Sequence, residues 1–143
     1  KAELRFAPIL GWYALRIGCV PVDRGRRGAA ITKMMRDVKS GLADPGQLII
    51  YPQGTRVAPG AYLPYKAGTA ALYAQLGQPC VPVAANVGVF WPKRGITRHP
   101  GLAVVEFLPA IPPGLPNAEF MATLEEAVET SSNALLAEAG FRG

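Results

Sequence analysis

From Ala67 to Pro92 the chain carries no charged side chain. A run of that length either crosses a bilayer or is buried inside a layered fold. Gly77, Pro79, Pro82, Asn86 and Gly88 interrupt it, which argues against one continuous span and cuts it into a helix followed by a strand. The 14 prolines and 16 glycines are spread along all 143 residues, so short elements and turns are expected throughout. Half of the residues are hydrophobic and 17% are charged, a balance that supports a core and excludes general disorder. The length suits one domain, residues 1–143, and no composition shift marks a boundary. The sequence begins at Lys1 with neither Met nor a signal peptide, so it is expected to be a piece of a longer protein.

The periodicities place the elements. Residues 7–18, APILGWYALRIG, predict a short helix, and CVPV at 19–22 a short strand ending at Asp23 and Arg24. GRRG is a turn. Ala30, Ile31, Met34, Met35, Val38 and Leu42 recur at helical spacing, with Lys33, Arg36, Asp37 and Lys39 on the wet face. Residues 47–51 predict a buried strand, YKAGTAALYAQLG a helix ending at Gly77, and CVPVAANVG and LAVVEFLPAI two further strands. Asn117 is placed to cap a last helix running to about Ala139, with Phe120, Leu124, Val128 and Leu135 on one face. Apolar strands alternating with amphipathic helices define the expected fold class: α/β, a mixed and largely buried sheet flanked by helices.

Charge is unevenly distributed. Residues 1–66 hold eleven Lys/Arg against four acids, and residues 67–143 hold four against six. The basic half suits phosphates of nucleic acid, lipid headgroups or a small substrate, or forms a solvated basic face. Cys19 and Cys80 lie in the apolar runs GCVPV and PCVPV and read as buried free thiols. Without a neighbouring His or Cys they make no metal site. No Gly-x-Ser-x-Gly elbow is present, and Ser40, Ser131 and Ser132 fall in or beside helices, which argues against a covalent mechanism.

The chemistry concentrates in LIIYPQGTR, residues 48–56. Pro52 stops a regular ladder. Gly54 permits positive φ or close approach of a ligand. Thr55 offers a hydroxyl, and Arg56 a planar fork of donors matched to phosphate. In α/β sheets, ligands sit beyond the carboxyl ends of strands. The LIIY run brings Gln53–Arg56 to such a place, and CVPV does the same for Asp23 and Arg24. An ordinary strand-to-loop turn with a solvated Arg has the same spacing.

YPQGTR resembles the Phe-Pro-Glu-Gly-Thr-Arg block of the glycerolipid acyltransferases, the family of 1-acyl-glycerol-3-phosphate acyltransferases. Other blocks support it in order. KAEL at the start is similar to the family's Lys-x-Glu-Leu, and GCVPVDRG to its Ile-Asp-Arg block. LPYKAGTA is similar to Phe-Lys-x-Gly, and QPCVPVAANVG to Val-Pro-Ile-Val-Pro. The match covers about residues 1–90. It implies transfer of an acyl group from acyl-CoA or acyl carrier protein to the sn-2 hydroxyl of lysophosphatidic acid, in phospholipid biosynthesis. It also implies that Arg56 and Lys1 bind the substrate phosphate and that Gly54 and Thr55 shape the loop. Gln53, Asp23 and Arg24 would line the acceptor site. No cofactor or metal is implied, the thioester being a co-substrate. The implied partners are a lysophospholipid, an acyl thioester and a membrane surface, at the cytoplasmic face.

Two departures bear on mechanism. The family's base is the His of a His-x-x-x-x-Asp block, in which Asp orients the imidazole. The only histidine here is His99, and Val104 stands where the Asp would be. No catalytic residue is therefore expected in this chain, and the block is expected in a preceding part of the parent protein. Gln53 replaces the family's usual Glu. An amide is no acid or base, but it donates and accepts hydrogen bonds. It leaves open another lysolipid acceptor, such as a lyso-aminolipid.

Two stretches are suited to a headgroup boundary. RFAPILGWYALRIG carries Trp12 and Tyr13 between arginines, and VFWPKRGITR pairs Phe90 and Trp91 with Lys93, Arg94 and Arg98. A core helix and an exposed loop are the plain alternatives. A non-enzymatic phosphate- or nucleic-acid-binding module is the rival class. No zinc pattern, nucleic-acid motif or stack of aromatics among the arginines supports it, and no nucleic-acid partner is expected.

Overall fold

A computed structural model describes residues 6, 8–16, 36, 40, 48–92 and 96–141. The chain divides into two units, Lys1–Ile49 and Ile50–Gly143.

In the first unit, helix α1 spans Leu10–Arg16 within the predicted 7–18. The carbonyl of Ile9 accepts the Tyr13 N–H at 2.9 Å. Ile9 itself has φ 65°, a left-handed conformation that a β-branched residue adopts only under strain. Arg16, one turn after Trp12, places its guanidinium 4.9 Å from the centroid of the indole. Trp12 and Tyr13 are 61% and 58% exposed, so the core-helix alternative does not hold for these two rings. Arg36 and Ser40 are helical, in keeping with the helix read over 29–42. The other residues of 29–42, the strand expected at 19–22, Cys19 and GRRG lie outside the described residues.

The second unit is built on four elements and a short turn of helix. Helix α2 spans Gly68–Leu76 and ends at Gly77, as its sequence predicts. Gly77 adopts φ 60° and donates its N–H to the Tyr73 carbonyl, the left-handed cap for which glycine is suited. Strand β1, Val83–Ala85, is followed by the four-residue helix α3, Val87–Phe90. Strand β2 is Val105–Phe107 and helix α4 is Asn117–Glu138. The strands pair antiparallel with Val83 opposite Phe107, Ala84 opposite Glu106 and Ala85 opposite Val105. An isolated bridge between Cys80 and Ile111 continues this pairing outward, with N–H···O distances of 3.0 and 2.8 Å.

The helix α4 packs on β1 and α2. Ala70, Tyr73, Ile111, Phe120 and Leu124 form the core. The rings of Tyr73 and Phe120 stack with centroids 3.7 Å apart and planes 4° from parallel. The Tyr73 hydroxyl donates to the Pro112 carbonyl and accepts the Leu115 N–H at 3.0 Å, so it holds the IPPGLP segment that leads into α4. Phe120, Leu124 and Leu135 are buried and Val128 packs against the core, as the helical spacing requires.

Three local expectations change. Asn117 is the first helical residue, and Pro116 occupies the cap with φ −54° and ψ 143°. Its ring pre-sets the entry, and its carbonyl accepts the Phe120 N–H at 2.9 Å. Residues 48–51 form no strand: a ladder needs a neighbour, and none of the described residues pairs with them. The α/β class stands, but the sheet among the described residues is two-stranded and less buried than its apolar runs imply. Ala84 is fully buried, while Val83, Val105 and Phe107 on the opposite side are 40%, 53% and 75% exposed. No helix among the described residues is long and apolar enough to cross a membrane.

Candidate functional site

The segment after Tyr51 folds into a loop closed by its own backbone. Gly54 donates its N–H to the Tyr51 carbonyl at 2.9 Å, and Lys66 donates to the Pro52 carbonyl at 2.9 Å. Gly54 has φ 70°, so a residue without Cβ is what the turn needs. The Gln53 side-chain amide makes a long hydrogen bond to the Leu63 carbonyl, 3.4 Å. Only a donor can do this, so Glu at 53 would forfeit it. Farther out, Ala61 N–H closes a turn on Ala58 O at 3.1 Å. A Cβ on Gly60 would stand 3.1 Å from the Phe141 ring, and one on Gly88 would stand 3.3 Å from Pro59. The outer arm is thus seated on α3 and on the chain following α4.

Thr55 and Arg56 project from this fixed loop and are exposed. No hydrogen bond or ion pair engages the Arg56 side chain among the described residues. Lys66 is the cation that sequence reasoning left out of the site. Its Cγ lies 3.9 Å from the position of a Cβ on Gly54, so its stem runs along the turn that carries Arg56. The signal was present in LPYKAGTA, where the lysine directly precedes a helix. That helix, α2, brings its N-terminal end beside the turn, and its dipole adds to the positive potential. No acidic residue occurs between Asp44 and Glu106, whereas Arg56, Lys66, Lys93, Arg94 and Arg98 do.

Gln53, Gly54, Thr55 and Arg56 are therefore brought together on one turn. Lys1, Asp23 and Arg24 lie outside the described residues. His99 is exposed on the connector between α3 and β2 and donates its backbone N–H to the Phe90 carbonyl at 3.0 Å. Ser131 and Ser132 are within α4. Cys80 is half-buried, and burial pushes its thiol pKa up, opposite to what an activated nucleophile needs. The loop's base touches carboxylates through phenols: Tyr65 donates to Glu129 at 2.9 Å. Burial first, and this bond second, raise the Tyr65 pKa. A hydrogen bond to Glu125 raises that of Tyr62.

The loop is closed by its own backbone and carries the exposed Arg56 guanidinium, with the stem of Lys66 beside it. The acyltransferase family model matches residues 1–86, and the chain belongs to that family. It is 31% identical over 111 residues to a 1-acyl-sn-glycerol-3-phosphate acyltransferase of Pseudomonas aeruginosa, covering 78% of this chain and 43% of the relative. It is 31% identical over 113 residues to 1-acyl-sn-glycerol-3-phosphate acyltransferase alpha of Homo sapiens, covering 78% and 40%. An uncharacterized acyltransferase of Schizosaccharomyces pombe is 30% identical over 143 residues, covering 96% and 50%. The chain thus spans half or less of the length of these relatives. No solved structure matches it significantly.

Proposed function

We propose that the loop binds the phosphate of a lysophosphatidic acid, the acceptor in an acyl transfer carried out by the parent protein. The observation that carries this reading is Arg56, exposed and without a hydrogen-bond or ion-pair partner among the described residues, on a turn fixed by Gly54 and Lys66. A phosphate monoester accepts from the guanidinium fork and from Lys66, with Thr55 as a further donor. Membership of the acyltransferase family supports the reaction class. Lys1, Asp23 and Arg24 complete the acceptor site in this proposal.

In the reaction, the acceptor hydroxyl gives its proton to a His base and its oxygen adds to the thioester carbonyl of acyl-CoA or acyl carrier protein. The C–S bond then breaks, and the departing thiolate takes a proton back from the imidazolium. This sequence holds no His-x-x-x-x-Asp block, so the proposal assigns the base to a part of the parent protein outside it. The residues in hand hold the acceptor and leave its hydroxyl free. The proposal includes a membrane surface, at the cytoplasmic face, as the place where the protein meets its lipid acceptor.

Titration calorimetry of the 143-residue chain with lysophosphatidic acid tests the site. Arg56→Ala should weaken binding about tenfold or more, the usual scale for loss of charge-assisted hydrogen bonds. Lysophosphatidylcholine, whose phosphate is a diester, should bind less tightly. Unchanged affinity in Arg56→Ala would remove the proposal. Gln53, in place of the family's usual Glu, leaves open a second reading, a lyso-aminolipid acceptor. Tighter binding of a lyso-aminolipid would select it.

A further inference from the structure

The connector from α3 to β2, residues 91–104, leaves large apolar side chains in water. Trp91 is 54% exposed, Ile96 94% and Leu102 78%. The apolar surface continues along the chain into Val105 and Phe107 of β2. Described residues at both ends of the connector are nonetheless held in place. His99 N–H bonds to Phe90 O at 3.0 Å, and Gly101 lies so close to the Phe90 ring that a Cβ would overlap it. Asn86 accepts the Val104 N–H at 2.8 Å and fixes the far end. Exposed Trp91 and Ile96 therefore flank residues whose neighbours are fixed to the body of the second unit.

Arg98 is placed to match. The Arg98 guanidinium sits over the Trp91 indole, 4.3 Å from its centroid, and donates to Thr97 O at 3.1 Å. An arginine stacked on an indole keeps its outer N–H groups free for an anion while its plane covers apolar surface. Lys93 and Arg94 lie between these two residues in the sequence, and the nearest acid along the chain is Glu106. We propose that Trp91 and Ile96 dock at the headgroup boundary of an anionic bilayer, with Arg98 against lipid phosphate. Indole and aliphatic groups bordered by basic residues match the layering of such an interface. The inference rests on the proposed lipid acceptor for its biological sense, but it uses different residues and a different test.

Co-sedimentation of the 143-residue chain with phosphatidylcholine vesicles, with and without phosphatidylglycerol, reads the docking directly. Lysophosphatidic acid is left out, so failure of the acceptor site would not affect the result. Binding is expected on the anionic vesicles. Trp91→Ala should lower partitioning roughly tenfold, and Arg98→Gln about fivefold on anionic vesicles only. A second measurement avoids altering the connector. In Trp12→Phe the remaining indole is Trp91, and brominated phosphatidylcholine should quench it. Bound chain with unquenched Trp91, equal partitioning of Trp91→Ala, or no vesicle binding would each overturn the proposal. So would Trp91-dependent binding to polyglutamate in place of vesicles, which would mark a surface for an acidic protein.

Discussion

Arg56 and Gln53 share one turn but do different work. Arg56 points its charge into solvent, while the Gln53 amide is directed to the Leu63 carbonyl inside the loop. The residue that departs from the family's usual Glu thus contributes to closing the loop and adds no negative charge beside the guanidinium. Tyr65 ties the loop's base to α4 through Glu129. Its phenol has a raised pKa, chiefly from burial, so the folded chain holds that proton more tightly than the unfolded one. The resulting stability is fully present below the unfolded value of about 10 and is lost as pH rises through the folded value. Tyr62 acts with the same sign. Thermal midpoints measured across the alkaline range should fall less steeply in Tyr65→Phe than in wild type. Parallel curves would show that this phenol makes no linked contribution.

Between elements, Asn86 is the principal polar junction. It is 3% exposed. Its Oδ1 accepts the Val104 N–H, and its Nδ2 reaches the carbonyls of Leu102 and Leu135 at 3.4 Å. It thereby joins the end of β1, the approach to β2 and the last turns of α4. Asn86→Ala leaves the partly buried Val104 N–H without its acceptor and should lower stability by about 1–3 kcal/mol, read as a reduced urea midpoint. A change below about 0.5 kcal/mol, the range of ordinary surface substitutions, would contradict this role. Element existence was largely legible in the sequence. Gly77 announced the end of α2, and Phe120, Leu124, Val128 and Leu135 announced the buried side of α4. Residues 48–51 misled, because apolar alternation signals burial and β-propensity, whereas a strand also needs a partner that no local pattern supplies.

At the scale of the second unit, cations and acids are segregated along the chain. In the second unit every acid except Glu106 lies on α4, and the stretch from Pro45 to Val105 has none. A field of this form draws anions to the loops. The chain still holds no His-x-x-x-x-Asp pair. Assayed with acyl-CoA and lysophosphatidic acid, the 143 residues alone should show no turnover above background. Measurable transfer would place a base where the sequence offers only His99.

The residues alone determined the family and the chemical character of the loop. Proline, glycine and arginine at fixed spacing carry their conformational and charge preferences wherever they are placed. The tertiary structure decided what surrounds them: that Lys66 runs beside Gly54, that Gln53 faces inward, that Trp91 lies under Arg98 and that one side of the sheet stays open. Those relations join residues far apart in the chain or depend on what covers a face. They follow from packing and hydrogen-bond closure, which no short stretch of sequence contains.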